Sequence, residues 1–168
     1  GNLLRVQGAA QAPYHEFPDL IRQIRPGRDL RAYRQLKAYI RSQAFDIVHT
    51  HSSKAGIVGR AAARSAGCPL IVHTVHGQAF HPYEAWWRNC MYITAERFAA
   101  RRCDHIFAVA QARMDQCVDA RIAPREKYSV VYSGMDMQAF MEAKPDPELR
   151  ERLGIPPGVP VIGKIARL

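Results

Sequence analysis

Four short runs of β-branched and aromatic residues punctuate the chain: DIVHT at 46–50, LIVHTV at 70–75, HIFAVA at 105–110 and YSVVY at 128–132. Helical periodicity fills the gaps between them. An Ala-rich helix is expected over 53–65, ended by Gly67 and Pro69, a long one over 84–102 and a shorter one over 112–120. Ahead of the first run, Leu30, Tyr33, Leu36 and Ile40 recur at helical spacing over 29–40. Nearly unbroken apolar strands that alternate with helices call for βαβ crossovers and a mostly parallel sheet, covered on both faces. The fold class expected is α/β.

A chain of 168 residues suits one ordinary domain, or one domain with a fragment of another. The expected division is a domain over 1–142, a polar, Pro-rich linker over 143–159 with one short helix (PELRERLG), and the first strand of a second domain over 160–168. No apolar run of about 18 residues, the length a membrane-spanning helix needs, occurs, and the first residues carry no signal-peptide core. The four cysteines, Cys68, Cys90, Cys103 and Cys117, form no C-x-x-C pair. A zinc knuckle or dithiol motif is therefore not expected, and free buried thiols in a reducing cytosol are.

Charge is the chain's other strong feature. It carries 24 Lys+Arg against 15 Asp+Glu, a formal net charge of +9, and 19 of the 24 cations are arginine. The planar arginine fork suits anionic partners, although a GC-rich genome inflates arginine equally well. Arg22, Arg25, Arg28, Arg31, Arg34, Lys37 and Arg41 face one acid, Asp29, so +6 of the charge lies between residues 22 and 41. From Arg28 onward the cations spread along one flank of the apolar face. A basic interfacial helix has this layout, and so does a docked surface helix with snorkelling side chains.

Two segments place polar residues where parallel sheets bind ligands, beyond the carboxyl ends of strands. In HTHSSKAG, strand DIV runs into His49, His51, Ser52, Ser53 and Lys54 and then into a helix. Ser52 or Ser53 is a natural N-cap, first-turn amides attract anions, and Lys54 adds a point charge. Gly56 and Gly59 allow backbone or ligand to approach closely. His49-x-His51 has no third ligand nearby for a metal. In VHTVHG, His73 lies mid-strand as a structural histidine, whereas His76 falls at the strand's end, where an imidazole can bond a sugar hydroxyl or steady developing charge. Gly77 permits an unusual turn directly after it. A further segment, FHPYEAWW, supplies Phe80, Tyr83, Trp86 and Trp87. Adjacent tryptophans on a helix stand about 100° apart and cannot both face one core. One of them is thus available to a sugar, a lipid or a partner.

The block HTHSSKAGIVGRAAARSAGCPLIVHTVHG, preceded by PDLIRQIRPGRDLRAYRQL and followed by YSGMD and VIGKIARL, resembles the acceptor side of a family 4, GT-B type glycosyltransferase over residues 17–168. The resemblance implies two Rossmann-like domains facing across a cleft, the N-terminal one for the acceptor and the C-terminal one for a nucleotide-diphosphate sugar, UDP-linked. It implies His76 as the cleft histidine beside the transferred sugar, and His51, Ser52, Ser53, Lys54 and Gly77 as the acceptor side. Arg167 then contacts the donor diphosphate. Ser133 stands where the family usually has Asn. The family's first strands with their Gly-rich turn, and most of the donor domain, are expected outside residues 1–168.

The reaction so implied is retaining, needs no metal or cofactor, and uses a lipid-linked or saccharide acceptor for glycan or surface polysaccharide synthesis. The enzyme would be cytoplasmic and peripheral on the inner face of the cell membrane, with Arg28, Arg31, Arg34 and Lys37 facing anionic lipid. A sugar-nucleotide 2-epimerase of the same architecture and a basic membrane- or nucleic-acid-binding module are the alternatives. No helix-turn-helix, zinc-finger or RNP signature supports a nucleic-acid partner.

Overall fold

The computed structural model describes residues 15–134, 137–144, 146 and 148–163. The chain forms two compact units, Gly1–Ser133 and Gly134–Leu168. In the first, the order is α1 (Pro26–Gln43), β1 (Ile47–His51), α2 (Ser53–Ala66), β2 (Leu70–Val75), α3 (Trp86–Ala100), β3 (His105–Ala108), α4 (Gln111–Asp119) and β4 (Tyr128–Val130). The four strands form one sheet in sequential order, and every pair is parallel. This is the expected α/β layout of a Rossmann-like parallel sheet flanked by helices.

Burial differs between the two faces of the sheet. Thr50, Ile71, His73, Ile106 and Ala108 are buried on the side of α2; on the other side Val72 and Thr74 are buried, while Ile47 and Leu70 are 56% and 39% exposed. Right-handed crossovers through strands in sequential order carry successive helices onto one face, so, contrary to expectation, the connecting helices among the described residues do not cover both faces. The core behind that face joins Ile40 of α1, Ala62 and Ala63 of α2, Ile71 and Ile106, Ala100 of α3 and Met114 of α4. Cys68, Cys103 and Cys117 are free and buried as expected, but Cys90 is exposed. It sits on the outward side of α3. Leu30 likewise departs from expectation at 48% exposed, and Ala32 takes its place on the buried face of α1.

Helix α2 is the element that positions everything else. Small residues let its backbone approach the sheet: a Cβ on Gly56 would stand 2.6 Å from His73 Cε1, and one on Gly59 would stand 3.0 Å from Thr50 Cγ2. The two glycines therefore serve helix-on-strand packing, not the approach of a ligand. Beside them Arg60, fully buried, donates from Nε to the Gly56 carbonyl (2.9 Å) and from Nη2 to Glu96 of α3 (2.7 Å). Tyr33 Oη donates to Ser65 Oγ at 2.8 Å and ties α1 to the same helix.

The second unit contains two four-residue helices, α5 (Gln138–Met141) and α6 (Leu149–Arg152). Arg150 Nη2 donates to the carbonyls of Pro156 and Val159 at 2.9 and 2.7 Å, folding the segment after α6 back on it. Of the strand expected over 160–168, residues 160–163 have no regular structure. Residues 164–168, Arg167 among them, lie outside the described residues, as do Met135 and Asp136 of YSGMD.

The glycines of the helices give a direct test. Nothing lies within 4 Å of a Cβ built on Gly27, so Gly27→Ala is expected to stabilise by about 0.5 kcal/mol through the unfolded chain. At Gly56 the propensity gain of about 1 kcal/mol is outweighed by overpacking against a fixed imidazole, about 1–3 kcal/mol. Gly56→Ala should therefore lower the urea midpoint while Gly27→Ala raises it.

Candidate active site

The site stands at the carboxyl ends of β1 and β2. Their register pairs Thr50 with His73 and His51 with Thr74, so alternation sends Thr50 and His73 toward α2 and His49, His51 and Thr74 to the opposite face. His49 Nε2 and Thr74 Oγ1 are 2.7 Å apart, and His51 Nδ1 and His76 Nε2 are 2.9 Å apart. Ring centroids step from His49 to His51 at 4.3 Å and from His51 to His76 at 5.2 Å. Three imidazoles thus follow one another along the rim, and His51 and His76 are exposed. Between His51 and His76 one nitrogen donates and the other accepts. Partial burial holds the His51 imidazole below its usual range, and the neighbouring His49 and His76 add to the shift. A neutral His51 can take either side of that bond. His76 is left with Nδ1 for an outside partner, and His51 with Nε2.

Behind the rim, His73 is 3% exposed, and its Nδ1 lies 2.9 Å from Thr50 Oγ1. Burial pushes this imidazole down to about 3, with the Arg60 guanidinium adding to the effect. Its structural role, expected from its place in the strand, follows. His73 and Arg60 form the floor of a small cavity beneath His76 and Gly77, with a volume of about 20 Å³. That is room for one water molecule, far too little for a sugar.

The junction from β1 into α2 is strained. Ser52, the N-cap of α2, has φ 64° and ψ 156°, a conformation that glycine adopts readily and serine does not, and no side-chain cap bond forms there. The expected serine cap is thus absent. Gly56 N–H donates to the Ser52 carbonyl at 2.9 Å, the ordinary first bond of the helix, and the amides before it have no serine cap. Strain of this kind persists only where surrounding structure holds it, and it concentrates at functional sites.

Lys54 differs most from expectation. Its ammonium donates to Ile21 O at 2.8 Å and to Gln23 O, and it pairs with the Asp29 carboxylate. Two of its N–H donors are taken by carbonyls and its charge is met by Asp29, so Lys54 ties the first turn of α2 to that of α1 rather than standing free for a phosphate. Gly77 also differs: its backbone is outside the left-handed region, and a Cβ there would meet open space. Among the basic residues of α1, Arg28 and Arg31 both pair with Asp19, at 3.1 and 3.3 Å. Arg34 is exposed and Lys37 partly so.

Three positioning side chains escaped the sequence reading. Gln78 Nε2 donates to Arg113 O at 3.0 Å and Gln78 Oε1 accepts from Arg113 Nη1 at 3.1 Å, pinning the loop after His76 to α4. Asn89 holds the far end of the same loop: its Oδ1 accepts from His81 N–H at 3.1 Å and its Nδ2 donates to His81 O at 2.9 Å. Glu96 anchors Arg60. The only signal for Asn89 and Glu96 was a polar residue inside an otherwise apolar helix.

The His73 environment fixes a pH response. The unfolded imidazole titrates near 6.5 and the folded one near 3, so between those values the unfolded state binds the extra proton and stability falls with acid. The expected slope from this group is about 1.4 kcal/mol per pH unit. His73→Asn keeps an amide donor for Thr50 but does not titrate, and should flatten the dependence in urea midpoints measured through that window.

The family Glycosyltransferase Family 4 matches residues 5–139. The UDP-Gal:alpha-D-GlcNAc-diphosphoundecaprenol alpha-1,3-galactosyltransferase of Escherichia coli is 35% identical over 136 residues, 81% of this chain and 35% of that protein. The D-inositol 3-phosphate glycosyltransferase 1 of Catenulispora acidiphila is 30% identical over 132 residues, 74% of this chain and 31% of that protein. The chain thus spans about a third of the length of these relatives. With the family's sequence running through every strand of the parallel sheet and through the histidine rim, the chain belongs to glycosyltransferase family 4.

Proposed function

We propose that the chain is the acceptor-side part of a retaining glycosyltransferase that moves a sugar from a nucleotide-diphosphate donor, UDP-linked, to a hydroxyl of a lipid-linked acceptor. The observation that carries this reading is the His51–His76 pair at the strand ends, beside the strained start of α2 and above a cavity too small for sugar. His76 presents Nδ1 to a hydroxyl of the transferred sugar, and His51 orients it. The amides of the first turn of α2, with Ser52 and Ser53, receive the acceptor phosphate, because a helix start favours anions. Gly77 leaves room for the sugar. Lys54 acts from behind by fixing α2 against α1.

In this reading the developing charge on the leaving diphosphate is met by fixed donors and cations, Arg167 among them, without a metal ion. The lipid-linked acceptor is supported by the printed name of the Escherichia coli relative, whose acceptor is a diphosphoundecaprenol. The enzyme then works in the cytoplasm at the inner face of the membrane, in polysaccharide synthesis. No helix among the described residues is long and apolar enough to cross a membrane, and peripheral contact through α1 falls to Arg34 and Lys37, since Asp19 holds Arg28 and Arg31.

The test is His76→Ala in the full-length enzyme. Turnover of donor and acceptor, read as nucleoside diphosphate release with glycosylated product, should fall on the order of 100-fold, as for loss of one positioned catalytic donor. The exposed position of His76 means that the melting temperature should not move. Wild-type turnover would remove His76 from the mechanism.

A further inference from the structure

Helix α3 carries an apolar stripe that the fold does not use. Trp87, Met91, Thr94 and Phe98 recur at steps of four, three and four, which places them within about 60° of arc on one side of the helix. Trp87, Met91 and Phe98 are 53%, 41% and 47% exposed, and Thr94 and Cys90 are exposed with them. The opposite side holds Glu96, bonded to Arg60, and the buried Ala99 and Ala100. Trp86, at 78%, and Tyr83, at 96% exposed, extend the patch past the start of the helix. The tryptophan pair therefore resolves in an unexpected way: neither ring enters the core.

The chemistry of the patch selects among partners. Tryptophan and tyrosine are the side chains that settle at the boundary of a bilayer, apolar ring inward and polar edge in the headgroups. Guanidinium groups bracket the stripe. Arg88 stacks on Trp87 at 5.1 Å to the ring centroid, and Arg102 stacks on Phe98 at 3.2 Å. The single acid of α3, Glu96, points inward, and Glu84 before the helix pairs with Arg88 at 3.3 Å. An exposed apolar stripe with Arg102 at one end, outside the ion pairs, and with Glu84 and Glu96 both engaged, complements an anionic, apolar surface. The helix is about 22 Å long at 1.5 Å per residue, so it lies along an interface rather than through it.

We propose that the outward stripe of α3, Trp87, Met91 and Phe98 with Trp86 and Tyr83, docks the enzyme on an anionic lipid bilayer. The proposal builds on the lipid-linked acceptor of the preceding section and assigns the membrane contact to α3, with the basic residues of α1 secondary. Its geometry has a use. The loop that begins at His76 ends where α3 begins, and Asn89 clamps that loop to the helix. Docking α3 in the headgroups sets the histidine rim at a fixed height above the bilayer, where a lipid-bound diphosphate is presented.

The two tryptophans of the chain are both in the patch, so intrinsic fluorescence reports on it alone. With vesicles of phosphatidylglycerol and phosphatidylethanolamine, emission should shift to the blue and be quenched by lipids brominated in the acyl chain. Trp87→Ser with Met91→Ser should weaken flotation by at least about tenfold, the share expected for withdrawing two large side chains from apolar contact. Arg34→Gln with Lys37→Gln should weaken it less. Unshifted emission, or full binding by the Trp87/Met91 variant, would overturn the proposal. So would self-association of the lipid-free chain that those substitutions abolish, since that would make the stripe a contact between copies. In the full-length enzyme the same substitutions should spare turnover of a water-soluble acceptor analogue. If bilayer binding fails while transfer to a lipid-linked acceptor persists, α3 docking falls and the glycosyltransferase reading stands.

Discussion

The close approach of α2 to β1 and β2 is the constraint from which the rest of the structure follows. Two glycines one helical turn apart remove the side chains that would hold helix and sheet at ordinary distance, and His73 and Thr50 fill the space. Once the helix lies that low, Arg60 is forced into the interior, where a lone guanidinium would be intolerable. Glu96 reaches it from α3 at 2.7 Å with 14% of its own side chain exposed. Such a pair adds little net stability over apolar residues of the same shape, but removing one partner strands the other charge at a cost of about 3–5 kcal/mol. Its effect is therefore on register: α3 can sit against α2 in only the position that closes the pair.

That register reaches the candidate site by two routes. Arg60 lies against His73, and burial with a neighbouring cation keeps His73 neutral. A neutral His73 can share a hydrogen with Thr50, which steadies adjacent β1 and β2 at the level where His51 and His76 emerge. The second route is α3 itself, whose Asn89 holds the far end of the loop that starts at His76 while Gln78 pins its near end to α4. The exposed histidine pair is thus mounted on fixed parts. The strain at Ser52 fits the same account, because the chain must turn from strand to low-lying helix without a glycine at the corner.

Much of this was legible in the sequence where information is local. The run LIVHTV coincides with β2 residue for residue, and Gly67, with φ 86°, ends α2 as a left-handed cap. The placement of His76 directly after the carboxyl end of β2 followed from a rule of position alone. The errors fall where a side chain's fate is decided by a distant partner. Lys54 reads as a free cation beside a helix start, yet its partner Asp29 comes 25 positions earlier and arrives only when α1 packs on α2. Arg28 and Arg31 look like a solvated flank until Asp19 folds beneath them. The sequence leads to a buried Cys90 and only one outward tryptophan, because the apolar residues of α3 are not confined to a single stripe and periodicity cannot tell which side of such a helix faces in.

The same pairing changes what the net charge of +9 can mean. Several cations around the candidate site are paired within the chain: Lys54 with Asp29, Arg60 with Glu96, and Arg28 and Arg31 sharing the single carboxylate of Asp19. A surplus counted on the sequence is therefore not a field aimed at the site. Attraction for an acceptor phosphate has to come from oriented amides at the start of α2, a short-range interaction that acts within the first turn of the helix. Cations outside these pairs include Arg22 and Arg25 before α1, Arg34 on it, and Arg102, which stacks on an exposed ring of α3. Short-range recognition at the rim and long-range attraction over the outer helices are separate tasks. Pairing Lys54 and Arg60 within the chain helps to keep them apart.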